Sequence, residues 1–174
     1  MQISYSKIIS DTVKSLAGRK AIAALSVTGA VGLIAGYEGF SNTAYIPVPG
    51  DVPTIGYGQT YYADGSKVKM GDTISKAEAQ KQLTLLTRRD FADKLGNCVK
   101  VPLYQNEFDA YVSLAYNIGT SAFCKSTLVK KLNQGDYVGA CSQILRWNKS
   151  GGRVLKGLDN RRRQEYKLCM GETA

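Results

Sequence analysis

The chain has 174 residues, a formal net charge of +9 and no histidine. This length suits one domain with a buried core, and a content of 44% hydrophobic and 21% charged residues is typical of a globular protein. The missing histidine excludes Ser-His-Asp and Cys-His hydrolases and zinc sites built on imidazole. Acid–base chemistry near neutral pH must therefore use carboxylates, lysine, tyrosine or cysteine.

The N-terminal part has the layout of an export or anchor segment. Residues 1–20 carry four basic side chains against one acid, Asp11, and residues 21–37 carry no charge. Seventeen residues are at the lower limit of a membrane span. The strongly apolar residues of this run contribute about −3 kcal/mol on the membrane-insertion scale, which is near the threshold for entering a bilayer. They are Ile22, Leu25, Val27, Val31, Leu33 and Ile34. A buried helix rich in alanine and glycine, or a cleaved signal peptide, are the alternatives.

Beyond residue 40 the pattern predicts a small β lobe followed by a helical lobe. Residues 41–67 are rich in Gly, Pro, Tyr and Thr, which favours a β-hairpin with turns. Ser75 and Glu78 form a capping box that opens a helix extending to Leu95. Further helices are predicted after Pro102 up to Gly119, over 126–133, over 136–147 with Asp136 as N-cap, and from near Asp159 through Leu168; Gly151 and Gly152 mark a loop. The fold class is α+β and mostly helical.

The four cysteines, Cys98, Cys124, Cys141 and Cys169, show no CxxC spacing, which argues against a zinc ribbon. They fit two disulfides in an oxidising compartment, with three pairings possible, or four buried free thiols. The sequence predicts neither a metal nor a cofactor.

The positive charge favours an anionic partner, for which nucleic acid, anionic lipid and a cell-wall polymer are candidates. A solvated basic surface is the alternative. Nucleic acid has the least support, because the chain has no helix-turn-helix or RNA-binding motif and its one dense basic run is 161–163.

One pair of carboxylates is placed for acid–base chemistry. Glu38 ends the apolar run, where loss of hydration favours a proton-donating carboxyl group, and Asp51 lies among wetter turn residues. Glycoside hydrolysis needs such a pair, one carboxyl group protonated and the other ionised, and the hydroxyl of Thr54 can hold a water molecule. Two unrelated surface charges are the alternative.

Several motifs are distributed along the chain beyond residue 36. They are Glu38-Gly39-Phe40, Thr54-Ile55-Gly56-Tyr57-Gly58, residues 101–110, Tyr116-Asn117-Ile118-Gly119, residues 123–128 and residues 157–165. Together they resemble the phage-type lysozymes, which are family 24 glycoside hydrolases. The similarity covers about residues 36–170, and its densest part is the active-site segment 36–60. The family has an Asp or Cys about nine residues after the Glu. In this chain that position is Pro47, so we assign the family's Asp role to Asp51, which lies between Glu38 and Thr54.

The resemblance implies a two-lobed lysozyme-like fold, with catalytic residues Glu38, Asp51 and Thr54 and substrate-binding residues Tyr57, Gln59, Asn117 and Arg161. It implies a monomeric muramidase that cleaves the β-1,4 bond between N-acetylmuramic acid and N-acetylglucosamine of peptidoglycan, with inversion. The alternatives are a lytic transglycosylase and a non-catalytic, membrane-anchored cationic protein that binds the wall. Among the three possible pairings of the cysteines, we favour the disulfides Cys124–Cys141 and Cys98–Cys169, which would crosslink the helical lobe.

Residues 21–37 resemble the signal-anchor-release (SAR) segment of some phage endolysins. The similarity implies two parts, a leader and anchor over 1–37 and a catalytic domain over 38–174. The anchor would engage the host secretion machinery and inner membrane, hold the enzyme inactive, and then release it into the periplasm. After release, residues 21–37 are expected to fold as a helix against the domain and to position Glu38.

Overall fold

Helix α4 (Gln105–Ile118) is the centre of the fold in a computed structural model, which describes residues 18–172. Side chains on every face of α4 are buried, and the long helices α1 (Thr28–Glu38) and α8 (Lys156–Cys169) pack against it. The remaining long helix, α2 (Lys76–Leu86), packs against α1. The shorter helices are α3 (Asp93–Leu95), α5 (Thr120–Cys124), α6 (Thr127–Asn133) and α7 (Tyr137–Gln143). The leader residues Lys7, Asp11 and Lys14 lie outside the described residues.

The β lobe has its own small core. Strands β1 (Ser41–Tyr45) and β2 (Thr54–Gly56) pair antiparallel, with Ser41 opposite Gly56 and Tyr45 opposite Thr54. Ala44, Ile55 and Val68 form a buried cluster separate from the main core. A second, two-stranded hairpin joins β3 (Lys149–Ser150) to β4 (Arg153–Val154) in the helical part. The mostly helical, two-lobed α+β prediction is confirmed.

The capping residues begin the helices where the sequence predicts. The Ser75 hydroxyl accepts the Glu78 amide at 3.1 Å, and the Asp136 carboxylate accepts the Gly139 amide at 2.8 Å. The helix predicted over 75–95 is interrupted by a π turn, Thr87–Ala92. Leu86 and Phe91 are five residues apart, a spacing that an i→i+5 turn places on one face and an α-helix does not.

The apolar run packs into the main core. Ile22, Leu25, Val27, Val31 and Ile34 are all buried there, together with α4. Helix α1 covers Thr28–Glu38 and a 3₁₀ turn covers Ile22–Ala24, so the helix expected over 21–37 is shorter than predicted. Among residues 18–172, none of the helices combines the length and apolarity needed to cross a bilayer.

Two polar side chains of α4 fix the start of α1. Gln105 accepts the Ser26 amide at 3.1 Å and donates to the Ser26 carbonyl at 2.7 Å, which keeps this residue outside the helix. Asp109 accepts the Ala30 amide at 3.2 Å and so serves as a cap, since the N-cap residue Val27 offers no side-chain acceptor. Burial raises the pKa of Asp109, and the hydrogen bonds from Gln105 and Ala30 oppose that rise. A Cβ at Gly29 would collide with this carboxylate.

Arg19 joins the chain just before the apolar run to the helical lobe. Its guanidinium lies 2.7 Å from one carboxylate oxygen of Glu107 and 3.1 Å from the other. It also stacks between the rings of Tyr104 and Tyr137, at 4.1 and 3.7 Å from their centroids. Lys20 and Leu103 exchange two backbone hydrogen bonds beside it.

The disulfides are Cys98–Cys124 and Cys141–Cys169, with Cα–Cα distances of 5.5 and 5.7 Å. The expected pairs Cys124–Cys141 and Cys98–Cys169 are therefore wrong. The reason is helix packing: α3, just before Cys98, contacts α5, which ends at Cys124, and α7 contacts α8.

Peptide mapping without reduction is expected to recover these two crosslinks. Because the bonds close loops with sequence separations of 26 and 28 residues, the Cys98→Ser/Cys124→Ser double variant is expected to lose about 2–4 kcal/mol of unfolding free energy. Urea titration measures that loss. Recovery of a peptide joining Cys124 to Cys141 would contradict the arrangement.

Candidate active site

Glu38 is held where α1 ends. The buried face of α1, which includes Ala30, Val31 and Ile34, fixes the helix against α4. Gly39 then turns the chain at a φ of 70°, a conformation that disfavours residues with a Cβ. The apolar segment therefore determines the position of the Glu38 carboxylate, whose side chain is 27% exposed.

Arg161 approaches Glu38 from α8. Its Nη1 donates to Glu38 Oε1 at 2.8 Å, and its Nη2 donates to the Ser113 carbonyl of α4 at 3.3 Å. The guanidinium also lies 4.6 Å from the centroid of the Tyr37 ring. Arg161 is 8% exposed, so its partners fix the charge in one place.

A buried carboxylate lies behind Arg161. Glu165 Oε1 is 3.2 Å from Arg161 Nε, and Glu165 Oε2 is 2.9 Å from Arg162 Nε. The Ser113 hydroxyl donates to Glu165 at 2.7 Å, and Arg162 reaches Asn117 Oδ1 at 3.1 Å. Burial raises the pKa of Glu165 and lowers the pKa of Arg162, while their mutual attraction opposes both shifts.

Sequence reasoning missed Glu165 and Ser113. Glu165 lies four residues after Arg161 and three after Arg162, and this spacing places all three on one side of a helix. This spacing within the basic run could have indicated that Glu165 pairs with the two arginines. Nothing in the sequence points to Ser113 on another helix.

The β lobe forms the opposite wall of the site. A Cβ built on Gly58 would lie 3.7 Å from Glu38 Oε2, so the backbone of this turn passes close to the carboxylate. The Tyr116 hydroxyl of α4 donates to the Tyr57 carbonyl at 3.1 Å. Burial raises the pKa of Tyr116, and the negative charge of Glu38 adds to the rise. Glu38 therefore lies where α1, α4, α8 and the hairpin meet.

An aromatic cavity of about 180 Å³ adjoins this junction, and Gly58, Tyr61, Phe91 and Tyr116 are among its lining residues. The ring centroids of Phe91 and Tyr116 are 4.8 Å apart. The π turn that interrupts the predicted helix thus brings Phe91 to the site.

Asp51 and Thr54 lie at the β1–β2 connection. Asp51 is exposed, and its carboxylate accepts the Val52 amide at 2.8 Å. Thr54 is buried at the start of β2, and its hydroxyl donates to the Val52 carbonyl at 3.2 Å. The structure thus joins Glu38 directly to Arg161 and leaves Asp51 on a separate, solvated loop.

The remaining predicted residues differ in exposure. Tyr57 is buried and its ring lies 5.5 Å from that of Phe40, while Asn117 is exposed. Gln59 is buried; its amide oxygen accepts the Tyr57 amide at 2.8 Å and its amide nitrogen donates to the Ala79 carbonyl at 3.2 Å. Both ends of the Gln59 side chain are thus used inside the protein. No cluster of acidic or cysteine side chains suited to a metal ion occurs between residues 18 and 172.

Comparison with known proteins identifies the family. The phage lysozyme family model matches residues 35–165. An endolysin of Bacillus phage B103 is 42% identical over 141 residues, which are 80% of this chain and 52% of that protein, so the chain spans about half the length of this relative. A SAR-endolysin of Enterobacteria phage P21 is 35% identical over 87% of this chain and 94% of its own length.

A solved structure gives the same result. The endolysin from Escherichia coli O157:H7 phage FAHEc1 superposes with a TM-score of 0.74 and 36% identity, covering 84% of this chain and 93% of that one. The residues that the family model matches, 35–165, include Glu38, Arg161 and the β1–β2 hairpin. The chain belongs to the phage lysozyme family.

Proposed function

We propose that this protein is an endolysin that hydrolyses the β-1,4 bond between N-acetylmuramic acid and N-acetylglucosamine in peptidoglycan. The observation that carries the proposal is the Glu38–Arg161 pair at the junction of the two lobes, 2.8 Å between Nη1 and Oε1, in a chain of the phage lysozyme family. A carboxyl group at the edge of a cleft is suited to protonate a glycosidic oxygen.

In this proposal Glu38 is the general acid, and Asp51 and Thr54 hold the attacking water on the other face of the sugar. The exposed Asp51 carboxylate has no salt bridge with any described residue, so it is free to act on water. The reaction is then a single displacement with inversion. It needs no metal or cofactor.

Tyr57, Asn117 and Arg161 are the proposed substrate contacts, and the aromatic cavity beside Glu38 offers apolar surface to a sugar ring. For Gln59 we propose a different role from the one expected, because its amide is engaged with Tyr57 and Ala79. It stabilises the turn that carries Gly58.

Product analysis tests the reaction class. Purified protein is incubated with peptidoglycan, and the released muropeptides are measured by mass spectrometry. Hydrated reducing ends support the muramidase. Anhydro ends would instead identify a lytic transglycosylase, and the absence of released fragments would favour a non-catalytic wall-binding protein.

The Asp51→Asn variant is expected to hydrolyse peptidoglycan about 10²-fold more slowly, because an amide cannot take a proton from water. The matched control is Asp64→Asn, another exposed aspartate of the β lobe whose carboxylate accepts a nearby amide, that of Ser66 at 2.8 Å. A rate for Asp51→Asn equal to that of the control would remove Asp51 from the mechanism.

The export part of the proposal is supported by the similarity to a SAR-endolysin, and the apolar run is its proposed anchor. Five of its six strongly apolar side chains are buried in the protein core, with Leu33 partly exposed. The same side chains cannot lie in a bilayer and in this core at once, so a tethered chain lacks α1 in its place and Glu38 is displaced from Arg161. We therefore propose residues 1–37 as leader and anchor, 38–174 as the rest of a monomeric enzyme, and the host secretion machinery and inner membrane as transient partners.

Cell fractionation tests this route. The full-length chain is expected first with the inner membrane and then in the periplasm. A chain found only in the cytosol, or only as a shortened periplasmic form, would contradict it.

A further inference from the structure

The proposed acid has a neighbour that opposes its role. Arg161 Nη1 lies 2.8 Å from Glu38, and a cation at this distance favours the ionised carboxylate. A general acid has to carry a proton when the substrate binds. The charge that Arg161 exerts on Glu38 therefore bears directly on the rate.

Glu165 is the group that balances Arg161. It is fully buried, and its carboxylate lies 3.2 Å from Arg161 Nε and 2.9 Å from Arg162 Nε. The Ser113 hydroxyl donates to it at 2.7 Å and fixes its orientation. In a buried cluster these charges are poorly screened by solvent, so each one acts strongly on the next.

The charges of the cluster can be summed. Two guanidinium groups, Arg161 and Arg162, face two carboxylates, Glu38 and Glu165, so the sum is zero when Glu38 is ionised. Protonation of Glu38 raises the sum to one positive charge. Without Glu165, the same step would raise it from one positive charge to two, which costs more.

We propose that Glu165 is a positioning residue that acts through Arg161, balancing its charge so that Glu38 can carry a proton during catalysis. The inference rests on the proposed muramidase function. It gives the fully buried Glu165 a part in the pH dependence of the reaction.

The other groups around Glu38 leave this assignment intact. Tyr116 faces it from α4 and Tyr37 from its own helix, and burial raises the pKa of both hydroxyls, so both are neutral near pH 7. The hairpin contributes the backbone at Gly58. The exposed Asp51 is unchanged in every variant below.

The test measures kcat/KM against pH on soluble peptidoglycan fragments. Glu165→Gln is expected to move the alkaline limb of the profile to lower pH by about 0.5–1.5 units, because an unbalanced Arg161 favours ionised Glu38. Arg162→Met is expected to move the limb to higher pH. The double variant Arg162→Met/Glu165→Gln restores the charge sum to zero and is expected to bring the limb back to its wild-type position.

A neutral control separates charge from contact. Gln164→Ala removes the hydrogen bond that the Tyr37 hydroxyl donates to Gln164 on α8, without changing charge, and its limb is expected to stay in place. The double variant also guards against misfolding, since replacing a buried ion pair by neutral side chains is tolerated better than breaking it. If Glu165→Gln does not fold, the alkaline limbs of Arg162→Met and of the double variant are compared. A limb at lower pH in the double variant than in Arg162→Met supports the inference, and equal limbs contradict it.

If the alkaline limbs of Glu165→Gln and Arg162→Met stay at the wild-type pH while their rates fall, the inference is overturned and the role of Glu165 is purely structural. A double variant that keeps the displacement of Glu165→Gln would overturn it as well. Wild-type protein that releases no hydrated fragments would instead overturn the proposed function.

Discussion

The Glu38→Gln variant is expected to lose about 10²–10⁴-fold in the rate of peptidoglycan hydrolysis, the contribution of a general acid. In the wild-type protein Arg161 Nη1 lies 2.8 Å from Glu38 Oε1. The fold is expected to survive the change, because the amide oxygen of glutamine can accept the same hydrogen bond. The rate is measured as released muropeptides and as loss of turbidity of outer-membrane-permeabilised cells. Urea titration confirms that the variant is folded.

The matched control is Glu172→Gln, the same change at an exposed residue near the end of the described chain. It is expected to keep the wild-type rate. Lysis by Glu38→Gln at the rate of this control would show that Glu38 is not the acid, and it would favour a cationic protein that disrupts cells without catalysis.

The Arg19→Ala variant is expected to lose about 3–5 kcal/mol of unfolding free energy, because it leaves the Glu107 carboxylate buried without its cation. The side chains of Glu107 and Arg19 are 5% and 7% exposed, and they form a bidentate ion pair. The substitution also removes the guanidinium from between Tyr104 and Tyr137. Thermal unfolding is expected to shift by roughly 10 °C for a protein of this size.

Arg163→Ala is the control for this change. Arg163 forms an ion pair of similar length, 2.8 Å to Asp159, but its side chain is 67% exposed. Water replaces such a contact readily, so the loss is expected to be a small fraction of that at Arg19. Equal losses at the two positions would mean that burial of the Arg19–Glu107 pair contributes nothing.

Local patterns in the sequence predicted much of this fold. Ser75 and Asp136 act as caps in the structure because capping depends on a few neighbouring residues. The helix expected after Pro102 is also present, as α4, and ends at Gly119. The resemblance in turn directed attention to Glu38 and Arg161, and these two side chains do meet.

Features that depend on tertiary packing were not predictable in the same way. The cysteine pairing follows from which helices are neighbours, and residue spacing does not contain that information. Gln59 was expected to face the substrate, but the turn at Gly56 directs its amide inward, toward the backbone of Ala79. The hydrogen bond from Ser113 to the buried Glu165 also joins two helices, so the sequence alone does not predict it.

The two disulfides divide the chain into a crosslinked part and a linear part. Both bonds lie between residues 98 and 169, and all four cysteines are used in them. Residues 1–97 contain no cysteine, so no disulfide joins α1 and Glu38 to the helical lobe, and apart from the backbone itself only non-covalent contacts hold them there. The proposed release and refolding of the N-terminal segment would therefore require neither the breaking nor the exchange of a disulfide.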